Sequence, residues 1–76
     1  MMHPRLIKNM RLLTGFTQNE IGEKIGVHGS LISKIEKGTI QPTKETEVKL
    51  MNVFSEAGIN IQIIYQINNL IKNKDK

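Results

Sequence analysis

The sequence contains no cysteine and only two histidines, so two common ways of stabilising a small protein are missing. Without cysteine no disulfide can form, and His3 and His28 alone argue against a structural metal site. The chain has 76 residues, the size of one small domain. A domain of this size buries only about 60% of the surface that its unfolded chain exposes. We therefore expect oligomerisation to add the stability that a small core lacks.

Long apolar runs are also absent. The first ten residues, MMHPRLIKNM, lack the apolar core of a secretory signal peptide, and no stretch of 18 apolar residues could span a membrane. We expect a cytoplasmic protein in a reducing environment. The chain shows no Ser–His–Asp set, metal-ligand cluster or phosphate-binding loop. We therefore predict no enzymatic activity and no cofactor.

Positive charge exceeds negative charge, with 11 Lys and Arg against 7 Asp and Glu, for a net charge of +4. A basic balance in a small domain suits nucleic acid or another anionic surface. Because a solvated lysine surface has the same composition, charge alone does not decide between these interpretations.

Apolar spacing and helix-terminating residues predict four helices. They cover Pro4–Thr14, Gln18–Ile25, Gly29–Lys37 and Lys44–Ala57. The second helix begins with the T-x-x-E capping box of Thr17 and Glu20, and it ends at Gly26, which can adopt a left-handed turn conformation. Apolar residues at helical spacing in the first helix are Leu6, Ile7, Met10, Leu12 and Leu13. Those expected to form one core face of the fourth helix are Val48, Leu50, Met51, Val53 and Phe54.

The segment after Gly58 fits two patterns. Isoleucine alternates with polar residues from position 59, as in a strand, whereas other apolar residues up to position 71 fit a helical stripe. Isoleucine-rich composition after a glycine favours a strand over residues 59–66, followed by a flexible tail over 67–76. A lone apolar strand invites aggregation, so we expect it to pair with its twin in a homodimer. The dimerisation residues are then Ile59, Ile61, Ile63 and Tyr65.

Residues from Gln18 to Gly38 have the pattern of two short helices packed at a steep angle. The apolar positions of this unit are Ile21, Ile25, Val27, Ile32 and Ile35. Positions three or four apart share one helix face. The small Gly22 allows a close helix crossing, and Gly26 supplies the turn. Such a unit is a helix-turn-helix.

The pattern resembles the helix-turn-helix of phage-repressor and Cro-like proteins, often called the XRE family. The matching string is GFTQNEIGEKIGVHGSLISKIEKGTIQPT, and the flanking helices extend the resemblance over residues 1–54. The resemblance implies an all-α, lambda-repressor-like bundle of four to five helices, with residues 1–58 as the DNA-binding domain and a C-terminal dimerisation β-strand. It also implies that Gln18 contacts a phosphate and that Arg11 and Glu36 form a buried salt bridge between the first and third helices.

The chain departs from the family pattern at three positions. His28 stands where a serine or threonine usually caps the third helix, Gly29 replaces a side chain that often reads a base, and Gly22 replaces an alanine. The reading face is therefore sparse, and we expect DNA shape to contribute to specificity.

The partner implied by the resemblance is double-stranded DNA. In a helix-turn-helix the second helix of the unit lies in the major groove with its N-terminal part at the base edges. The predicted DNA-binding residues are Gln18, His28, Gly29, Ser30, Ser33, Lys34, Lys37 and Thr39. Serine hydroxyls can pair with several bases, and Lys34 can donate to guanine O6 or N7.

These residues lead to the hypothesis of a homodimeric repressor on a palindromic operator. The order of helix, glycine, isoleucine strand and polar tail is also similar to HipB-like antitoxins. That resemblance implies a repressor that binds a partner toxin, such as a HipA-like kinase. Two alternatives stay open: a phage or restriction-modification regulator without a toxin, and a protein-interaction module that does not bind DNA.

Overall fold

A computed structural model of the chain describes residues 3–60, 62, 63, 66, 69 and 70. It contains α1 (Pro4–Thr14), α2 (Gln18–Ile25), α3 (Gly29–Glu36) and α4 (Lys44–Glu56). The predicted bounds of the first two helices are confirmed, and α3 and α4 each end one residue earlier than predicted. Within the described ranges there is no strand, and no helix there is both long and apolar enough to cross a bilayer.

Each helix begins with a side chain that accepts a hydrogen bond from a backbone N–H of the first turn. The capping residues are His3, Thr17, His28 and Thr43. The capping box at α2 is confirmed in both directions, since Thr17 Oγ1 accepts from the Glu20 backbone and Glu20 Oε1 accepts from the Thr17 backbone. These caps satisfy N–H groups that a helix leaves without an internal partner.

One apolar core holds the four helices together. Its buried members are Leu6, Ile7, Met10, Ile21, Ile25, Ile32, Ile35, Leu50, Val53 and Phe54. Helix α2 packs against α3 and α4, and α1 packs against the same two helices. The apolar positions predicted for the helix-turn-helix are thus core residues, with Val27 partly buried against them.

Three of the apolar residues at helical spacing are exposed. Leu12 is 58% exposed, Leu13 71% and Val48 50%. With 3.6 residues per turn, Leu12 and Val48 lie on the side of their helices away from the buried stripe. Leu13 lies on the last turn of α1, beyond Met10, the last buried residue of that helix. The predicted core position was therefore wrong for Val48.

The described part of the C-terminal segment differs from the predicted strand. Gln62, Ile63 and Gln66 are helical. Asn60 Oδ1 accepts a hydrogen bond from the Gln62 backbone at 2.7 Å, an arrangement that starts a helix because it satisfies an otherwise unpaired N–H. Ile61 and Tyr65 lie outside the described residues, and Ile59 is partly buried against the core. A dimer contact through residues 59–66 stays a prediction, as does the tail over 67–76.

Candidate nucleic-acid interface

The turn between α2 and α3 is shaped by two glycines. A Cβ on Gly22 would lie 2.5 Å from the Val27 carbonyl oxygen and 3.1 Å from the Gly29 nitrogen, so a side chain at this crossing would force the backbone of the turn to shift. Gly26 has a φ of 79°, in the left-handed region that glycine enters without strain. The close crossing and the turn predicted for these glycines are both confirmed.

His28 caps α3 in the place where the family usually has a hydroxyl. Its Nδ1 accepts from the Ser30 backbone N–H at 3.1 Å and lies 2.9 Å from Ser30 Oγ. Because a backbone N–H can only donate, Nδ1 is the acceptor, and the neutral ring carries its proton on Nε2. His28 is exposed, so Nε2–H is a hydrogen-bond donor at the start of α3.

The other residues predicted to bind DNA lie on α3 or just after it, and they differ in exposure. Ser30, Lys34 and Lys37 are exposed, and Ser33 is half-buried. Thr39, just beyond α3, is exposed as well, and its backbone N–H donates to the Lys34 carbonyl at 2.9 Å. These side chains give the outer face of α3 two hydroxyls near its start and two ammonium groups near its end.

Arg11 and Glu36 join α1 to α3 through two hydrogen bonds. Arg11 Nε lies 2.6 Å from Glu36 Oε2, and Arg11 Nη2 lies 3.0 Å from Glu36 Oε1. The two side chains are only 12% and 3% exposed. The hydrogen bond that Arg11 donates to Glu36 raises the pKa of the Arg11 guanidinium above its ordinary value, against the lowering effect of burial. Arg11 Nη1 also donates to the Phe16 carbonyl at 3.1 Å, which fixes the loop before α2.

Gln18 belongs to the same network. Its Nε2 donates to Glu36 Oε1 at 3.1 Å, so the buried carboxylate of α3 orients the first side chain of α2. One amide hydrogen of Gln18 remains for a further acceptor, because a carboxamide nitrogen carries two. Gln18 also lines an open surface depression of about 490 Å³ at the start of α2, together with Arg11 and Thr17. Sequence reasoning missed this contact, since no periodic signal links residues 18 positions apart.

Gly29 is buried against α2 and does not present an open position on the reading face. A Cβ at Gly29 would overlap Asn19 Oδ1 and would lie 3.0 Å from Asn19 Cγ and 3.1 Å from Asn19 Cα. Asn19 therefore fills the space that a side chain at position 29 would need. The sequence indicated a missing side chain at Gly29 but not the residue that takes its place.

Comparison with known protein families identifies the family to which this arrangement of helices belongs. The family model described as helix-turn-helix matches residues 7–64, more than half of the chain. Neither a curated protein nor a solved structure matches the chain significantly. The match includes α2, the glycine turn, α3 and α4, together with α1 from Ile7 onward. The chain belongs to the helix-turn-helix family of XRE-type, DNA-binding transcription regulators.

Proposed function

We propose that this regulator is a sequence-specific repressor that binds a palindromic operator as a homodimer. The observation that carries the proposal is the outer face of α3, whose exposed Ser30, Lys34 and Lys37 follow a capped N-terminus held against α2 by Gly22. A helix presented in this way enters the major groove with its first turns at the base edges.

The proposed contacts divide into base reading and phosphate binding. His28, Ser30, Ser33 and Lys34 are proposed to face base edges, where hydroxyl, ring N–H and ammonium groups can pair with base donors and acceptors. Gln18, at the start of α2, is proposed to bind a phosphate with its remaining amide hydrogen, beside the free backbone N–H groups of that helix start.

Two residues after the reading turns are proposed to bind the DNA backbone. Lys37 and Thr39 are exposed at the end of α3, where charge and hydroxyl groups set affinity and register without reading sequence. Gly29 is buried beneath Asn19, so its proposed part in the interface is to leave the space that the Asn19 side chain fills.

The direct test is a binding measurement with DNA from upstream of the protein's own gene. We expect tight binding to one site and weak binding to shuffled DNA. Replacing Ser33 and Lys34 by alanine should weaken operator binding about 10-fold or more through lost base contacts. Lys49→Ala is the matched control, because Lys49 is an exposed α4 lysine that pairs with Glu45 at 3.4 Å. No binding to DNA would favour a protein-interaction module, and binding that ignores sequence would overturn the assignment of Ser33 and Lys34.

The homodimer is proposed to form through the segment over 59–66. Ile63, within this segment, is 51% exposed, and Leu70, just beyond it, is 63% exposed. Exposed apolar side chains close together in sequence favour a contact with another chain. Two reading helices would then lie about one DNA turn apart, ~34 Å, on the two half-sites.

We extend the proposal to a cytoplasmic antitoxin that also binds a cognate toxin. Small size and the resemblance of the C-terminal order to HipB-like proteins support this extension. A kinase-like or other toxin reading frame beside the gene, whose product co-purifies with the protein, is the expected finding. A neighbourhood of phage or restriction-modification genes, with no co-purifying product, would instead favour a regulator without a toxin.

A further inference from the structure

The side chain of Asn19 lies on the first turn of the reading helix, although it belongs to α2. The distances from a Cβ on Gly29, 3.0 Å to Asn19 Cγ and 3.1 Å to Asn19 Cα, place the carboxamide directly over the first residue of α3. The contact depends on both residues, since any side chain at position 29 would occupy the same volume. Asn19 and Gly29 are therefore one structural unit at the junction of the two helices.

The Asn19 carboxamide is available for binding. Asn19 is an exposed residue. Among the described residues, the hydrogen bonds at this junction are made by neighbouring groups: the Thr17 cap, the Gln18 amide and the His28 ring. None of them uses Asn19 Oδ1 or Nδ2. A carboxamide carries two N–H donors and a carbonyl acceptor, so Asn19 can both donate and accept.

We propose that Asn19 is a specificity-determining residue, with its carboxamide reading an adenine in place of the side chain that Gly29 lacks. The proposal rests on the proposed function, in which the start of α3 lies at the base edges. Asparagine pairs with adenine through two hydrogen bonds, accepting from N6 and donating to N7 in the major groove. The start of α3 is thus read by a side chain from α2, next to His28 and Ser30.

The test is selection of preferred operators from a library with randomised half-sites, for the full chain and for Asn19→Ala. We expect the wild-type protein to select A·T at one position of each half-site and Asn19→Ala to lose that preference. Affinity for the preferred operator should fall roughly 5- to 150-fold, the discrimination of one bidentate base contact. Asn52→Ala, an exposed asparagine of α4, is the matched control and should keep both preference and affinity.

Two results separate this proposal from the function on which it rests. If the wild-type protein selects no sequence, the proposed function fails. If it selects an operator and Asn19→Ala selects the same operator with the same affinity, the assignment of Asn19 is overturned and sequence-specific binding stands.

A second variant tests the shared volume of the two residues. Gly29→Ala should push the Asn19 carboxamide aside and reproduce the loss of adenine preference seen in Asn19→Ala. The double variant Asn19→Ala/Gly29→Ala should then bind no more weakly than Asn19→Ala alone, because effects of residues in contact are not additive. Losses that multiply in the double variant would contradict the shared role.

Discussion

At the scale of single residues, Arg11 and Glu36 show what a buried ion pair does in a small core. The carboxylate of Glu36 accepts from Arg11 and from Gln18, and its side chain is 3% exposed. Burying a charge is costly unless a partner of opposite charge and hydrogen bonds compensate for lost hydration. Removing either residue alone would therefore leave the other charge buried without its partner and destabilise the fold.

We expect Arg11→Leu to lower the free energy of unfolding by about 3–5 kcal/mol, because it leaves the Glu36 carboxylate buried without a cation. Urea unfolding followed by circular dichroism measures the loss. Replacing both residues by leucine should cost less than Arg11→Leu alone, and Lys8→Ala, at an exposed α1 position, should change little. An Arg11→Leu protein as stable as wild type would contradict the role of the pair.

The direction of the Arg11 pKa also fixes the sign of its pH dependence. Because Glu36 raises the pKa of Arg11 in the folded state, the stabilisation is fully present below the ordinary pKa of an arginine side chain. It is lost only as the pH rises through the higher folded value. Deprotonation of Arg11 therefore contributes no change of stability near neutral pH.

Gly22 gives a second prediction for the stability of a single-residue variant. Gly22→Ala should lower the free energy of unfolding by roughly 1–3 kcal/mol, since its Cβ would press on the backbone of the turn. Thermal unfolding of this variant is compared with that of Glu23→Ala, its exposed neighbour. Equal melting temperatures for the two variants would show that the turn relaxes at no cost.

At the scale of helices, the caps explain how far the sequence predicted the fold. Thr17 with Glu20 and the left-handed Gly26 gave the bounds of α2 because capping and turn chemistry are local. The end of α1 at Gly15 follows the same logic. Contacts between distant residues, such as Gln18 with Glu36 and Asn19 with Gly29, depend on side-chain direction after packing, so spacing alone did not predict them.

For the C-terminal segment, in contrast, the sequence pattern did not predict the described structure. Its isoleucines satisfy both strand and helix periodicity, and their composition favoured a strand, whereas the described Gln62, Ile63 and Gln66 are helical. Asn60 was the local signal for a helix that the prediction left out. Its side chain accepts a hydrogen bond from the Gln62 backbone, and asparagine caps helices as readily as serine or threonine.

The capping role of His28 at the start of α3 can be tested by substitution. His28→Ala should lower the free energy of unfolding by about 0.5–2 kcal/mol, because the Ser30 N–H loses its acceptor. His28→Ser should retain most of the stability, since serine supplies the family's usual capping oxygen. Chemical denaturation of the three proteins measures both differences. If the alanine and serine variants were equally stable, the ring nitrogen would have no capping role.

At the scale of the whole molecule, the affinity of the proposed dimer for DNA is expected to fall as the salt concentration rises. Each phosphate contact releases counterions, so the logarithm of the binding constant falls with the logarithm of salt by about 0.9 per contact. Lys37→Ala should reduce this slope by about 1 for each protomer of a dimer and weaken all sequences alike. Titrations at several salt concentrations measure the slope. A slope unchanged from that of wild type or of Lys49→Ala would remove Lys37 from the interface.

The dimer itself gives an expectation at the same scale. Ile63→Asp should shift the protein from dimer to monomer in sedimentation experiments, because a charge replaces an exposed apolar side chain of the proposed dimer contact. Gln62→Asp adds the same charge at the neighbouring exposed position and should leave the dimer intact. A wild-type protein that sediments as a monomer at micromolar concentration would overturn the dimer.

The bond between Gln18 and Glu36 has a consequence for the entropy of binding. A free glutamine loses its rotamer freedom when it binds a phosphate, at a cost of about 0.5–1.5 kcal/mol for each immobilised side chain. In this protein a buried carboxylate holds Gln18 before any ligand arrives. The ordering is part of folding, so a phosphate contact made by Gln18 would start from a preorganised side chain.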